Sequence, residues 1–142
     1  MRVHPSRLAK FRRLPPEEQR LLPVVAALLG LARVGVSPLG VPRTRRLVAR
    51  LAPRSHAPAG RLATLLRMAG HALPGRTACL PRAIVLEALL ARAGHPAELR
   101  IGLSRLDDRE RPLAHAWVEL AGRAVAEDPA DYTALPLFGT RG

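Results

Sequence analysis

Two different spacings of hydrophobic residues divide this chain, and the change from one to the other falls near residue 74. In the first half, apolar residues recur at helical spacing within segments that proline and glycine interrupt. These segments predict helices over residues 21–34, 43–51 and 61–73. Residues 35–42 (GVSPLGVP) predict a loop, because this stretch contains two prolines and two glycines.

In the second half, residues 80–93 (LPRAIVLEALLARA) predict the clearest helix, because a broad apolar stripe is followed by Gly94 and Pro96. After this helix, apolar residues recur at every second position, which predicts strands over residues 97–103, 113–120 and 123–127. We therefore expect an α+β fold in two parts. A helical N-terminal region would occupy residues 1–73, and a core of one helix followed by an antiparallel sheet would occupy residues 74–142.

Composition and charge add a strongly basic surface. The 142 residues carry a formal net charge of +12, and arginine supplies nearly all of it because Lys10 is the only lysine. Such a surface attracts nucleic acids, acidic peptides or anionic membranes. Heavy use of Arg, Ala, Leu, Pro and Gly is also what a GC-rich coding sequence produces. Aromatic residues make up only 3% of the chain, which leaves little for bases to stack on, so we expect no nucleic-acid partner.

The single cysteine excludes an internal disulfide and a multi-cysteine zinc site, and it suits a reducing compartment. Residues 1–14 are charged throughout and lack the apolar stretch of a secretory signal. The most apolar run, residues 21–32, is too short to span a bilayer. We therefore expect a cytoplasmic protein with no membrane span. The sequence contains no metal-ligand spacing and no nucleotide-binding motif, so no metal and no cofactor are expected.

Cys79 lies at the start of the predicted helix that contains Pro81. Unpaired N–H groups and the positive end of the helix dipole converge at such a position, and both favour a nucleophilic thiolate. The same N–H groups could hold an oxyanion. A lone cysteine is more commonly a buried structural residue, however, so its position alone does not establish catalysis.

His115 is the candidate general base. Alternation along its strand places His115, Trp117 and Glu119 on one face, and a histidine in mid-strand can reach a thiol at a nearby helix start. Trp117 could wall a substrate cleft, although a tryptophan in this setting is more often a core residue.

A third group should orient the imidazole, and the turn after residue 120 decides which acid can do so. In a type I turn with Gly122 as a bulge residue, Ala121 keeps a negative φ, which alanine prefers. That turn pairs His115 with Glu127. A two-residue turn would instead pair His115 with Asp128. We favour Glu127 at this point, with Asp128 as the alternative, because a slip of one residue exchanges their faces.

Four segments together carry a family resemblance: residues 79–83 (CLPRA), 89–94 (LLARAG), 96–102 (PAELRIG) and 114–119 (AHAWVE). Their order resembles the processing protease of lasso-peptide biosynthesis, a leader peptidase whose core is transglutaminase-like and papain-like. The resemblance covers residues 75–137, and the first and last segments are its most specific parts. The helical first half resembles that family's N-terminal region less closely.

The resemblance implies a cysteine peptidase with a Cys–His–acid triad that removes the leader from a ribosomally made precursor peptide. Carried over by position, the triad is Cys79, His115 and Glu127, or Asp128, since aspartate is common at the third place in that family. The implied partners are the precursor peptide, a separate leader-recognition protein and, as a further partner, the ATP-dependent lasso cyclase. The proline-broken helical N-terminal half lacks the strand pattern of a fused recognition domain, which implies the stand-alone form.

Two other functions remain open on the sequence. The same triad would serve a transglutaminase-like acyltransferase that passes its acyl group to an amine instead of water. A non-catalytic module could instead use the basic surface to bind acidic peptides. The mass of the product would distinguish acyl transfer to an amine from hydrolysis. Peptide binding without turnover would identify the non-catalytic module.

Overall fold

The computed structural model describes residues 7–75, 78–104, 114–125 and 132–134. Its helices are α1 (Arg7–Arg12), α2 (Pro16–Leu39), α3 (Val41–Leu51), α4 (Ala59–Ala72) and α5 (Cys79–Arg92). Its strands are β1 (Ala97–Ser104), β2 (Ala114–Leu120), β3 (Arg123–Ala124) and β4 (Tyr132–Ala134). The predicted α+β arrangement, with helices first and an antiparallel sheet after α5, is confirmed.

The loop predicted over residues 35–42 is wrong, because α2 continues to Leu39 and α3 begins at Val41. Pro38 falls in the last turn of α2 and Pro42 in the first turn of α3, and proline is tolerated in a first turn because the N–H it lacks would have no partner there. Only Gly40 separates the two helices. Its φ of 79° is a left-handed conformation that glycine adopts without steric cost.

Helix α2 is long and apolar enough, by length and composition, to cross a membrane. The argument that the apolar run is too short for a span is therefore wrong. A buried stripe on α2, which includes Leu21, Val25 and Leu29, packs in the protein core, and the helix contacts α3, α4 and α5. The absence of a membrane span stays a prediction, and it now rests on this buried stripe and not on length.

One hydrophobic core joins the helices to the sheet. Leu29 of α2, Val48 of α3, Leu62 of α4 and Ile84 of α5 are almost fully buried in it, and Val118 of β2 closes it from the sheet side. Helix α5 is buried along most of its length because it lies between the other helices and the sheet. Helix α5 thus packs against both β1 and β2.

The sheet has the strand order β3-β2-β1-β4 within the described residues. Strands β1 and β2 pair antiparallel along their lengths, with Gly102 opposite His115 and Leu99 opposite Val118. Strand β4 was not predicted from the sequence. It pairs antiparallel with the edge of β1 that faces away from β2, with Gly102 opposite Ala134. β3 and β4 therefore lie at opposite edges of the sheet.

The turn between β2 and β3 differs from the expected bulge. Leu120 pairs with Arg123, so the turn contains only Ala121 and Gly122, which have φ values of 53° and 78°. Two successive positive φ values are those of a type I′ turn, whose twist matches that of the strands it joins. The register that favoured Glu127 is therefore wrong, because Ala121 does adopt the unfavourable left-handed conformation.

Polar contacts tie the helical half of the chain to the second half. Arg45 of α3 donates two hydrogen bonds to the Glu87 carboxylate of α5, at 3.0 and 2.8 Å. The same carboxylate accepts the backbone N–H of Leu99 in β1 at 2.7 Å. Arg92 of α5 donates to the carbonyl oxygen of Ala49 in the last turn of α3. The division into residues 1–73 and 74–142 stays a prediction about organisation, and the two parts share one core.

Candidate active site

Cys79 is the first residue of α5, and its side chain is half-buried. Ala78 precedes it in an extended conformation and supplies no side-chain cap. The first N–H groups of a helix have no acceptor within the helix, so they are available to an anion at this end. The position of Cys79 at the start of a helix, predicted from the sequence, is confirmed.

The Cys79 side chain lines a cavity of about 90 Å³ between α4, α5 and the sheet. Its apolar wall is formed by small and branched side chains together with one indole, namely Ala63, Leu66, Ala83, Leu86, Ala116, Trp117, Val118 and Val125. Two arginines, Arg67 and Arg82, complete the lining. The cavity has room for several water molecules or one short side chain beside the thiol.

Helical spacing explains why these residues meet. Residues three and four apart lie on one face of a helix, so Cys79, Arg82 and Ala83 point the same way from α5. Ala63 and Arg67 share a face of α4 for the same reason. Helix α4 packs against α5, and α5 packs against β2, which brings these faces together around the cavity.

His115 and Trp117 form an aromatic pair on β2. Their rings are nearly parallel, with centroids 6.0 Å apart and an angle of 20° between the planes. The indole Nε1 of Trp117 donates to Glu119 at 3.1 Å, and the other carboxylate oxygen of Glu119 accepts from Arg100 at 3.3 Å. The side chains of His115, Trp117 and Glu119 therefore lie on one face of β2, as strand alternation predicts.

Trp117 is a neighbour of both the predicted nucleophile and the predicted base. Trp117 is only 3% exposed and lines the cavity that contains the Cys79 side chain. His115 stacks on the same indole but does not line the cavity, whereas its neighbour Ala116 on the other face of β2 does. Trp117 is thus both a deeply buried residue and a wall of the candidate cleft, which combines the two roles considered for it.

Glu127 and Asp128 both lie outside the described residues. The hydrogen bond from the Val125 N–H to the Val118 carbonyl oxygen, at 2.8 Å, continues the observed register past β3. The two-residue turn between β2 and β3 is the one from which the sequence predicts Asp128 opposite His115. The preference between the two acids is accordingly reversed, and the identity of the third group stays a prediction.

Sequence reasoning did not single out Arg67 or Arg82 as site residues. The signal for Arg82 was present in its spacing of three from Cys79, which places both on one helical face. Arg67 could not be found in this way, because its place depends on how α4 packs against α5. Within the described ranges, no group of three or more His, Cys, Asp or Glu side chains could hold a metal ion.

Comparison with protein families gives a match over most of the chain. Residues 21–136 match the family model described as the transglutaminase-like superfamily, and this stretch includes Cys79, Trp117 and His115. The superfamily includes cysteine peptidases and acyltransferases. No curated protein and no solved structure matches the chain. The match crosses residue 73, so the helical half belongs to the same family region as the sheet, and the expectation of a transglutaminase-like fold is confirmed.

Proposed function

Because the chain belongs to the transglutaminase-like superfamily, we propose that it is a cysteine peptidase that removes the leader from a lasso-peptide precursor. The observation that carries this proposal is the place of Cys79. It begins α5, lines a cavity, and shares that cavity with the indole on which His115 stacks. The motif resemblance of residues 79–83 and 114–119 supports the choice of substrate class.

The first half of the proposed reaction forms a thioester. His115 takes the proton from the Cys79 thiol, and the sulfur attacks the carbonyl carbon of the scissile peptide bond. The N–H groups in the first turn of α5 stabilise the oxyanion of the tetrahedral intermediate. Its collapse breaks the C–N bond, and His115 gives its proton to the departing amine of the core peptide.

The second half releases the leader. Water attacks the thioester while His115 accepts one of its protons, and the thiolate departs as the second tetrahedral intermediate collapses. The products are the leader with a free carboxyl group and the regenerated thiol. Asp128, or Glu127 as the alternative, holds the imidazole in the tautomer that each step requires.

Burial of the indole supports this role for the cleft. Trp117 excludes water from one side of the cavity, and an electrostatic interaction with the oxyanion is stronger where water is excluded. The hydrogen bond to Glu119 fixes the indole, which in turn limits where the stacked imidazole can lie. Trp117 is therefore a positioning residue in the proposed mechanism.

The proposed partners are the precursor peptide, a leader-recognition protein that delivers it, and the ATP-dependent cyclase that receives the core peptide. The exposed arginines of α3, Arg43, Arg46 and Arg50, offer one basic surface for such a contact. A solvated helix face would look the same, so the choice among partners rests on the family resemblance.

A reconstituted cleavage reaction tests the proposal. It contains the chain, the recognition protein and the precursor peptide encoded beside them, with product masses measured. Wild-type protein should yield the leader acid and the free core peptide, whereas Cys79→Ala should yield neither while its circular dichroism stays unchanged. A product mass that reports transfer of the leader to an amine would identify an acyltransferase instead. Cleavage by Cys79→Ala would refute a cysteine peptidase.

A further inference from the structure

We propose that an open cleft at the C-terminal end of α5 binds an acidic segment of the leader peptide, and that Arg54 is the main residue that recognises this segment. The inference rests on the proposed function and adds a second contact with the substrate, at the opposite end of α5 from Cys79. The cleft lies between the end of α5 and the segment that joins α3 to α4. Arg54, His56 and Arg92 supply its basic side chains.

The exposed basic side chains of this cleft have no acidic partner. Arg54 and His56 are both exposed, and within the described part of the chain neither side chain has a hydrogen bond or an ion pair. Among the described residues, no acidic side chain lines the cleft. Positive charge is therefore present without an internal carboxylate to neutralise it, which favours an anionic ligand.

Arg92 has a structural role, which is why Arg54 is the main recognition residue. The Nε and Nη2 of Arg92 donate to the carbonyl oxygens of Ala49 and Arg50, each at 3.2 Å, in the last turn of α3. These bonds satisfy carbonyl groups that the end of a helix leaves open, and they reduce the negative potential that this end would present to an anion. A guanidinium group has more N–H donors than these bonds use, and the others remain for a ligand.

Hydrogen bonds fix the wall of the cleft that carries Arg54 and His56. Ser55, between them, is only 6% exposed, and its Oγ accepts the backbone N–H of Ala57 at 3.0 Å. The Nε2 of His95, just beyond α5, contacts the carbonyl oxygen of Ala57 at 3.2 Å. Because this backbone is already ordered, a ligand loses less conformational entropy in binding to it.

Size and composition favour a peptide over other anions. The cleft has a volume of about 620 Å³, which exceeds the need of a single small anion and suits a few residues of a peptide. Among the described residues, no phenylalanine, tyrosine or tryptophan lines it, so it lacks the usual platform for stacking of nucleic-acid bases. Guanidinium groups bind carboxylates through two parallel hydrogen bonds, which suits aspartate and glutamate side chains.

A leader bound at Cys79 is able to reach the cleft as one chain. Cys79 and Arg92 are the first and last residues of α5, which are about 20 Å apart along the helix axis. An extended peptide advances by about 3.3 Å per residue, so at least about six residues separate the scissile bond from the acidic segment. The leader, which is the part of the substrate retained on the thioester, has both contacts.

A labelled peptide measures the proposed binding without knowledge of the precursor sequence. The probe is a rhodamine-labelled peptide of alternating Glu and Ala, and the matched probe has Gln in place of each Glu. Fluorescence anisotropy at physiological ionic strength should show that wild-type protein binds the Glu probe about tenfold more tightly than the Gln probe. Arg54→Gln should weaken binding of the Glu probe by about threefold to tenfold.

The control variant is Arg20→Gln, which removes an exposed arginine of α2 outside the cleft. It should change the affinity for the Glu probe by less than about twofold, because charges in water are screened within about 10 Å. Equal losses in Arg54→Gln and Arg20→Gln would reduce the effect to overall basicity and overturn the proposal. Tighter binding of a single-stranded oligonucleotide of equal charge, weakened by Arg54→Gln, would also overturn it.

Backbone amide resonances locate the bound probe. Titration with the Glu probe should shift the resonances of His56 and Gly94, which line the cleft, and leave those of Ala63 and Ala83, which line the Cys79 cavity, in place. Shifts centred on the Cys79 cavity would place the acidic segment there and contradict the proposal.

Turnover tests the assignment to the leader. In the reconstituted cleavage reaction, Arg54→Gln should raise KM for the precursor by about threefold to tenfold and leave kcat unchanged, because binding remote from the scissile bond is lost equally in the ground state and the transition state. Its affinity for the recognition protein alone should equal that of the wild type. A weaker affinity for that protein would assign the cleft to it and overturn the assignment to the leader.

The two proposals can fail separately. Cys79→Ala should bind the Glu probe as tightly as the wild type, because the cleft lies at the other end of α5. Cleavage of the precursor by Cys79→Ala would refute the peptidase and leave the binding result standing. Retained cleavage together with equal affinities for the Glu and Gln probes would overturn the cleft and leave the peptidase in place.

Discussion

The imidazole of His115 stacks on the indole of Trp117 with ring centroids 6.0 Å apart, and Trp117 also lines the Cys79 cavity. A series of hydrogen bonds between polar side chains holds the indole in place. Trp117 donates to Glu119, Glu119 accepts from Arg100, and Arg100 also donates to Glu98 at 2.7 Å. The geometry of the aromatic pair therefore depends on side chains that never reach the cavity.

Removal of the Glu119 side chain tests that dependence. Glu119→Ala removes a carboxylate that accepts the N–H of the buried Trp117, and we expect the free energy of unfolding to fall by about 1–3 kcal/mol. Urea titration followed by circular dichroism measures this, and the emission of the only tryptophan reports its surroundings. Glu98→Ala is the control, because Glu98 is 53% exposed and should contribute less than about 1 kcal/mol. Equal losses in the two variants would refute a special role for Glu119.

Glu87 is the junction of α3, α5 and β1, because its carboxylate binds Arg45 and the backbone N–H of Leu99. Glu87→Gln keeps the shape but weakens both contacts, and we expect a loss of about 1–3 kcal/mol in the free energy of unfolding. Glu17→Gln, an exposed change in the first turn of α2, should cost less than about 1 kcal/mol. A Glu87→Gln protein as stable as the wild type would show that the Glu87 carboxylate adds no net stability at this junction.

The ion pair between Glu18 of α2 and Arg61 of α4 predicts a dependence of stability on pH. Hydrogen bonds from Arg61 hold the pKa of Glu18 below its usual value of 4.5, although partial burial acts in the opposite direction. A carboxyl group whose pKa is lower in the folded state stabilises the fold above its unfolded pKa, and the contribution disappears as the pH falls through the folded pKa.

Wild-type protein should therefore lose more stability than Glu18→Gln when the pH is lowered from neutral to well below 4.5. Urea titrations at a series of pH values give the two slopes. Glu17→Gln is the neighbouring control and should follow the wild-type curve. Parallel curves for wild type and Glu18→Gln would mean that the pair makes no net contribution to folding.

Much of the fold follows from local pattern. Apolar spacing predicts α3, α4, α5, β1 and β2 to within a few residues, because each buries one face against the same core. The prediction of a loop at residues 35–42 was wrong partly because Pro42 lies in the first turn of α3, where proline is tolerated; nothing in the structure explains why α2 continues through Pro38. Strand β4 could not be foreseen, since it is short and its pairing with β1 is distant in sequence.

In the candidate site too, some features follow from local sequence pattern and others depend on tertiary packing. The position of Cys79 at a helix start and the shared face of His115 and Trp117 follow from periodicity, which is a local property. The turn at Ala121 could not be predicted, because the preference of alanine for negative φ competes with the strand pairing and the pairing prevails. Arg67 comes from another helix, so only tertiary packing brings it to the cavity.

A substitution at Ala121 distinguishes the two possible turns. With φ at 53°, Ala121 is in a conformation that glycine adopts at lower cost, so Ala121→Gly should raise the free energy of unfolding by about 0.5–1 kcal/mol. In the alternative turn with a bulge at Gly122, Ala121 would have negative φ, and the same change would lower stability through the entropy of the unfolded chain. Urea titration gives the sign, and a loss of stability would contradict the two-residue turn at Ala121 and Gly122.

The most direct measurement of the central claim is the intact mass of the protein during turnover with a precursor peptide. Acid quenching should trap a thioester whose added mass equals the leader minus one water, and fragmentation should place it on the peptide that contains Cys79. His115→Ala should lose cleavage, because the thiol proton then has no acceptor in the site. A leader acid that accumulates without any adduct at Cys79, and that forms equally fast in Cys79→Ala, would contradict the account.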